Sequence, residues 1–279
     1  MPVYDLHSHS TASDGTLTPA GVVARARGRG VDVLALTDHD SVAGIGEAMR
    51  AAQGSTTRLI PGTEISVTWQ KHTIHMLGLD IDPRSASLEH GLRQLQKTRS
   101  DRAQLIGERL DKCGIKNALA ETKKLFDCTN ITRTHFARHL VHIGKARSER
   151  HAFKSYLGPG KPGYVQTRWA NLAEAISWIK DAGGLAVIAH PSRYSISLST
   201  MRQLLGEFVK QGGVGLEVVH GTSTTDEVSR NSALAIHFGL LGSIGSDFHD
   251  PDHAWIDLGK VGTLPTGVTP IWERFKKGL

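Results

Sequence analysis

The chain has 279 residues, 39% of them hydrophobic, and its 33 Lys and Arg against 27 Asp and Glu leave a formal charge of +6. That length predicts one large domain, or one domain with an insert, and the apolar fraction can build a real core, with no segment disordered by composition. No run reaches the ~18 apolar residues of a membrane span, no basic-then-apolar leader is visible, and Cys113 and Cys128 stand too far apart for a C-x-x-C pair, so a soluble cytoplasmic protein is expected, with no disulfide framework.

Residues 3–6 read as a short buried strand that ends at His7-Ser8-His9, followed by Asp14-Gly15. In extended chain, side chains at i and i+2 share a face, so His7 and His9 project together, as two ligands of one ion must. Short motifs of this kind also occur without metal. Thr18-Pro19 opens a helix with Thr as cap and Pro at the first position, closing near Gly30. Asp32–Leu36 reads as a second strand, ending in Thr37-Asp38-His39-Asp40, and a helix follows from Ser41 to about Gln53. A third strand within Leu59–Val67 ends near Glu64, and His72–Leu79, containing His75, is a fourth.

From Ser87 helical periodicity runs to about Cys113 and returns over 117–126, 132–143 and 148–157, before the Gly158–Gly163 loop marks a boundary. Strand–helix alternation then resumes, with strands at Leu185–Ala189 (ending at His190-Pro191), Val214–Val218 and 240–244 (ending at Ser246-Asp247-Phe248-His249). Residues 97–164 hold 15 Lys/Arg and 6 Asp/Glu, net +9, so the remainder holds 18 and 21, net −3. A basic helical segment is either a solvated face or a module for anions and nucleic acid.

About seven strands alternating with helices predict a parallel α/β sheet. His7/His9, Asp38/His39, Glu64, His190 and Asp247/His249 all fall at strand ends that precede helices. In a closed barrel those ends converge on one mouth, whereas a doubly wound sheet would spread them along an edge. With Asp14 and His75 these give nitrogen and oxygen donors and no sulfur, too many for one ion. Imidazole with carboxylate suits zinc, manganese or iron better than calcium or magnesium alone. No Gly-rich phosphate loop or Ser-His-Asp arrangement competes.

Together, His7-x-His9, Asp14-Gly15, Thr37–Asp40, Gly62-x-Glu64, His75, Ala189-His190-Pro191 and Ser246-Asp247-x-His249 resemble the PHP (polymerase and histidinol phosphatase) metal-dependent phosphoesterases. The resemblance implies a distorted (β/α)7 barrel, residues 1–96 and 165–279, with a small all-helical insert, 97–164, that covers the mouth and binds substrate. It implies three divalent ions, manganese foremost, with zinc, iron or magnesium as alternatives. His7, His9, Glu64 and Asp247 would hold one; Glu64 would bridge to a second, held by His75 and His190; Asp14, His39 and His249 would hold a third. Asp38 and Asp40 would orient imidazoles from behind, and a hydroxide bridging the metals would attack phosphorus without a covalent enzyme intermediate.

The insert, with Ile131-Thr132-Arg133-Thr134-His135 and Lys161-Pro162-Gly163, resembles a branch of nucleoside 3′,5′-bisphosphate phosphatases and 5′→3′ exoribonucleases acting on short 5′-phosphorylated RNA. It departs from that branch at Thr132 and Thr134, where Gly and Pro are expected. Arg133, His135, Lys161 and Arg193 are the expected anchors for a substrate phosphate, the first two at a helix start that favours anions. The leading expectation is release of the 3′-phosphate from a nucleotide such as adenosine 3′,5′-bisphosphate. Stepwise 5′→3′ RNA degradation is the alternative, and histidinol phosphate fits a +9 insert less well. A nucleic-acid-binding module with a structural metal would be the non-enzymatic reading. The expected partners are a small nucleotide or short RNA and no membrane, with a monomer favoured.

Overall fold

The computed structural model describes residues 2–128, 130–253 and 255–276. Seven strands form one sheet in the order of the chain: β1 (Tyr4–Asp5), β2 (Val33–Leu36), β3 (Arg58–Trp69), β4 (His72–Leu79), β5 (Leu185–Ile188), β6 (Gly215–His220) and β7 (Leu241–Gly245). The sheet curls until its ends meet. Leu6 N donates to Ile244 O, Asp247 N donates to His7 O, and Ser8 bridges Phe248 in parallel, so β7 returns beside β1 and the barrel is nearly closed. The helices α1 (Pro19–Gly28), α2 (Ile45–Ala52), α7 (Leu172–Asp181), α8 (Leu198–Lys210) and α9 (Thr225–Phe238) stand between strands.

The strand period decides which residues face which layer. On β2, Leu34 and Leu36 pack with Val22, Val23 and Ala26 of α1 and Ala48 of α2, while Ala35 between them packs with Leu6, Ile60, Leu77 and Val187 inside the sheet. Leu34 and Leu36 are fully buried, and truncating either to Ala should cost roughly 2–5 kcal/mol. Local signals set the helix starts. Thr18 accepts the Gly21 N–H with Pro19 at the first position, and Asn171/Glu174 and Thr224/Glu227 form capping boxes on α7 and α9. Gly91 allows a close packing: a Cβ there would lie 2.3 Å from the Trp178 ring.

Two expectations need correction. The sheet is not wholly parallel: β4 runs antiparallel to both β3 and β5, whereas the other neighbouring pairs are parallel. The chain turns back at Gln70-Lys71 directly after β3, with Gln70 at φ 52, so no crossover helix intervenes. For the same reason Glu64 does not end its strand. It lies inside β3, paired with Leu77, and the strand continues to Trp69 as one arm of a long hairpin.

The chain divides into two compact units, residues 1–92 with 169–279, and residues 93–168. The second contains most of α3 (Ala86–Lys112), then α4 (Ala118–Phe126), α5 (Arg133–His142), α6 (Glu149–Ala152) and a π turn over Phe153–Leu157. It has its own core, centred on Ile106, Leu110, Phe136, Leu140 and Leu157. Thr132, where Gly was the expected residue, caps α5 by accepting from the N–H groups of Thr134 and His135. Among the described residues no helix is long and apolar enough to cross a membrane.

Candidate metal centre

Each donor has a place set by the strands. His7 and His9 follow β1, Asp14 lies in the next loop, and His39 follows β2. Glu64 and His75 come from the two arms of the hairpin, His190 follows β5, and Asp247 and His249 follow β7. The hairpin of β3 and reversed β4 is what lets two residues from the middle of strands, Glu64 and His75, reach a mouth otherwise built from strand ends.

Glu64 is the centre of the pocket, with no solvent exposure. Its Oε1 lies 3.0 Å from both His75 Nδ1 and His190 Nε2. Its Oε2 lies 2.9 Å from His39 Nδ1, 3.4 Å from His7 Nε2 and 3.3 Å from His9 Nε2. Asp247 Oδ1 is 3.3 Å from His7 Nε2 and 3.2 Å from His9 Nε2. On the far side of His9, Asp14 Oδ1 lies 3.3 Å from His249 Nε2 and 3.8 Å from His39 Nε2. Among the described residues three groups of donor atoms each converge within 4.8 Å: His7, His9, Glu64 and Asp247; His9, Asp14, His39 and His249; and His39, Glu64 and His75. His9 and His39 each belong to two groups, a sharing that the sequence did not reveal.

These residues fit divalent ions on two counts. Around an ion with bonds of about 2.1 Å, neighbouring ligand atoms stand roughly 3.0–3.4 Å apart, which is the spacing around Glu64 and Asp247. Moreover His7 Nε2, His9 Nε2 and Glu64 Oε2 are buried and make no hydrogen bond among the described residues. Leaving such atoms unsatisfied costs about 1–3 kcal/mol each, so their convergence asks for a cation. Burial opposes ionisation of Glu64, yet His39, His7, His75 and His190 around it hold its carboxyl well below the usual range. Burial likewise opposes ionisation of Asp247, and His7 and Arg193 with the neighbouring imidazoles pull it well below the usual range.

A residue overlooked in the sequence, Glu217 on β6, holds the pocket from behind. Its Oε1 lies 3.0 Å from His7 Nδ1, and its Oε2 accepts the His190 backbone N–H at 2.6 Å. The first contact fixes the tautomer that turns His7 Nε2 toward Glu64 and Asp247. The second holds a strained backbone, since His190 has φ 28, a region costly for a side chain of this size. Asp40 and Asp247 also take left-handed φ values of 48 and 56, which Asp tolerates better. Tyr194 adds a brace across β4 and β5: its hydroxyl accepts from His75 N at 2.8 Å and donates to Ala189 O at 2.9 Å.

Other expected residues sit differently. Asp38 does not orient an imidazole; it accepts hydrogen bonds from Ser10 N, Ser10 Oγ and Ser13 Oγ, fixing the loop that carries Asp14. Asp40 accepts from Ser66 N and Oγ, which ties the end of β2 to β3. Arg193 forms a short ion pair with Asp247 Oδ2, leaving Oδ1 for the imidazoles, and its side chain stays 39% exposed. Within the helical unit, His135 is buried, and its Nδ1 accepts the Thr132 N–H as the third residue of a capping box. Arg133 lies over the Phe153 ring at 5.7 Å, and Lys161 is exposed in the loop after the π turn.

The model of the PHP domain matches residues 5–219. Over 99% of this chain and 97% of its own length, a Chromobacterium violaceum protein named 3′,5′-nucleoside bisphosphate phosphatase is 42% identical. A Haemophilus influenzae protein named 5′-3′ exoribonuclease is 46% identical over 98% of each chain. Among solved structures, an amidohydrolase from Chromobacterium violaceum with bound sulfate and no metal superposes with a TM-score of 0.93 at 43% identity, covering 97% of this chain and 95% of that one.

Proposed function

The chain belongs to the PHP-domain family of metal-dependent phosphoesterases, and from that footing we propose that it hydrolyses the 3′-phosphate of nucleoside 3′,5′-bisphosphates. The P–O bond to the 3′ oxygen breaks, a water supplies the new oxygen, and the products are a nucleoside 5′-monophosphate and inorganic phosphate. The observation that supports this most is the shared carboxylate of Glu64, both of whose oxygens face imidazoles in a buried pocket.

Three divalent ions, manganese in the first instance, are the proposed occupants. His7, His9, Glu64 and Asp247 would hold one; Glu64, His75 and His190, with His39 beside them, a second; Asp14, His39 and His249, with His9 shared, a third. When bound, such ions supply Lewis acidity toward phosphoryl oxygens and bring the pKa of water down toward ~7. The chain's own part is to place charge. Three carboxylates and otherwise neutral imidazoles under-neutralise three divalent ions, so the pocket attracts phosphate. Arg193 holds Asp247 in register and keeps an exposed edge for a phosphate oxygen. Arg133 and Lys161 are the proposed anchors for the second phosphate.

The insert's net +9 favours a second activity at the same centre, 5′→3′ removal of nucleotides from short 5′-phosphorylated RNA. The deciding experiment supplies manganese and compares a nucleoside 3′,5′-bisphosphate, a 3′-monophosphate, histidinol phosphate and a 5′-phosphorylated oligoribonucleotide. Fast phosphate release from the bisphosphate is expected. Preference for histidinol phosphate, or no metal-dependent turnover of any of the four, would overturn the reading.

A further inference from the structure

The helical unit has a cavity of its own, of about 520 Å³, between the end of α3, helix α4 and helix α5. None of its lining residues is a donor of the metal centre. Lys116, Lys124, Lys145 and His142 line it, with Glu121 as the opposing acid. The three lysines are exposed, so the cavity is open to a ligand and carries a positive excess. Its wall includes Leu125 and Ile143, which leave 40% and 41% of their surface in water.

His139 is also among the lining residues. It is 4% exposed, and its Nδ1 has no hydrogen-bond partner among the described residues. Cationic edges beside an exposed apolar wall form the combination that a nucleotide unit satisfies: phosphate on the lysines and the flat base on Leu125 and Ile143. A small inorganic anion would use the lysines and leave the apolar wall wet. A lipid surface needs a convex apolar face, and this one is concave.

We infer that this cleft is a second, non-catalytic binding site on the helical unit for a single strand of RNA. The inference rests on the reading of the chain as an enzyme of nucleotides and short RNA. It adds that a strand is gripped at a place with no metal donors, so an oligonucleotide gains affinity that a mononucleotide lacks.

The test uses the full chain with EDTA present to stop turnover, and a short 5′-phosphorylated oligoribonucleotide with a 3′ fluorophore, read by anisotropy. The double substitution Lys124→Glu/Lys145→Glu changes two exposed side chains, and thermal melting verifies that it folds. It should weaken RNA binding about tenfold or more and flatten the slope of log K against log salt by about 1.4, or 0.7 for each lost phosphate contact. Turnover of a nucleoside 3′,5′-bisphosphate with manganese should stay within about twofold. Undiminished RNA affinity in the variant, no RNA binding by the parent chain, or an equal loss in bisphosphate turnover would each overturn the second site. If the parent chain hydrolyses neither substrate and the variant still loses RNA affinity, the cleft stands and the proposed activity falls.

Discussion

Glu217 accepts the backbone N–H of His190 at 2.6 Å, and through this bond strand β6 controls a donor that follows β5. The same carboxylate faces His7 Nδ1 at 3.0 Å, so a single buried side chain sets the tautomer of one imidazole and the backbone of another. Both contacts need an acceptor. Glu217→Gln keeps the shape but presents an NH2 to one of two donors, leaving a buried clash of polar groups worth about 1–3 kcal/mol. Metal retained after gel filtration should fall about 10–100-fold in affinity terms, with kcat falling alongside. Unchanged metal content and unchanged kcat would show that Glu217 has no positioning role.

The sharing of His9 predicts an asymmetry between ligand substitutions. His9 belongs to two of the three donor groups, His75 to one. His9→Ala should therefore strip more metal per chain than His75→Ala, measured by plasma emission spectrometry after purification with manganese. Both should lower kcat/KM by at least about a hundredfold, and EDTA dialysis of the parent chain should remove phosphate release until manganese is returned. Equal metal loss in the two variants would refute the sharing.

Arg133 separates substrate recognition from metal chemistry. Arg133→Ala should raise KM for a bisphosphate about 10–100-fold, the value of one charge-assisted phosphate contact, and leave p-nitrophenyl phosphate nearly unaffected. Equal effects on both substrates would sink the anchor role. Because Arg133 also lies over Phe153, the melting temperature is the control for a loss of packing.

Away from the centre, Asp257 gives a prediction in pH. Although partial burial opposes its ionisation, the bonds from Arg25 at 2.7 and 3.0 Å, the Leu258 N–H and nearby Arg29 hold its pKa below the ordinary value of 3.8. A depressed folded pKa contributes stability that is present above the unfolded value and lost as pH falls through the folded one. Asp257→Asn should cost about 0.5–1.5 kcal/mol at pH 7, a modest figure because the pair is partly solvated. Urea titrations should show that gap constant from pH 7 to about 5 and closing below 3.8. A gap that persists at low pH would mean that the loss is not electrostatic.

The barrel and the convergence of its donors were legible because His, Asp and Glu are unusual at the ends of apolar strands, where the chain otherwise turns into helices. The reversal of β4 was hidden because Gln70-Lys71 lacks the Gly or Asn that marks a tight hairpin. Glu217 escaped notice for a related reason: within Gly215–His220 a lone carboxylate carries no spacing signal, and only its partners, 210 and 27 residues away, reveal its task. Asp38 sits beside His39 in the sequence, which suggested a partnership with imidazole, but its side chain turns to Ser10 and Ser13 instead. His135 has the character of a phosphate ligand at a helix start, yet the Thr132 cap needs a partner three residues on, and His135 supplies it.

The return of β7 to β1 has a consequence for how the protein is made. His7 and Asp247 face one another at 3.3 Å although 240 residues separate them along the chain, and the Asp247 N–H completes the seam on His7 O. A ribosome has to deliver the chain as far as Asp247 before that seam can form. Metal capture would then act as a checkpoint of barrel closure: an ion gripped by His7, His9, Glu64 and Asp247 staples the first strand of the sheet to the seventh. A chain stalled short of Asp247 would have no such grip, and would reach the cell's proteases with its seam unlatched.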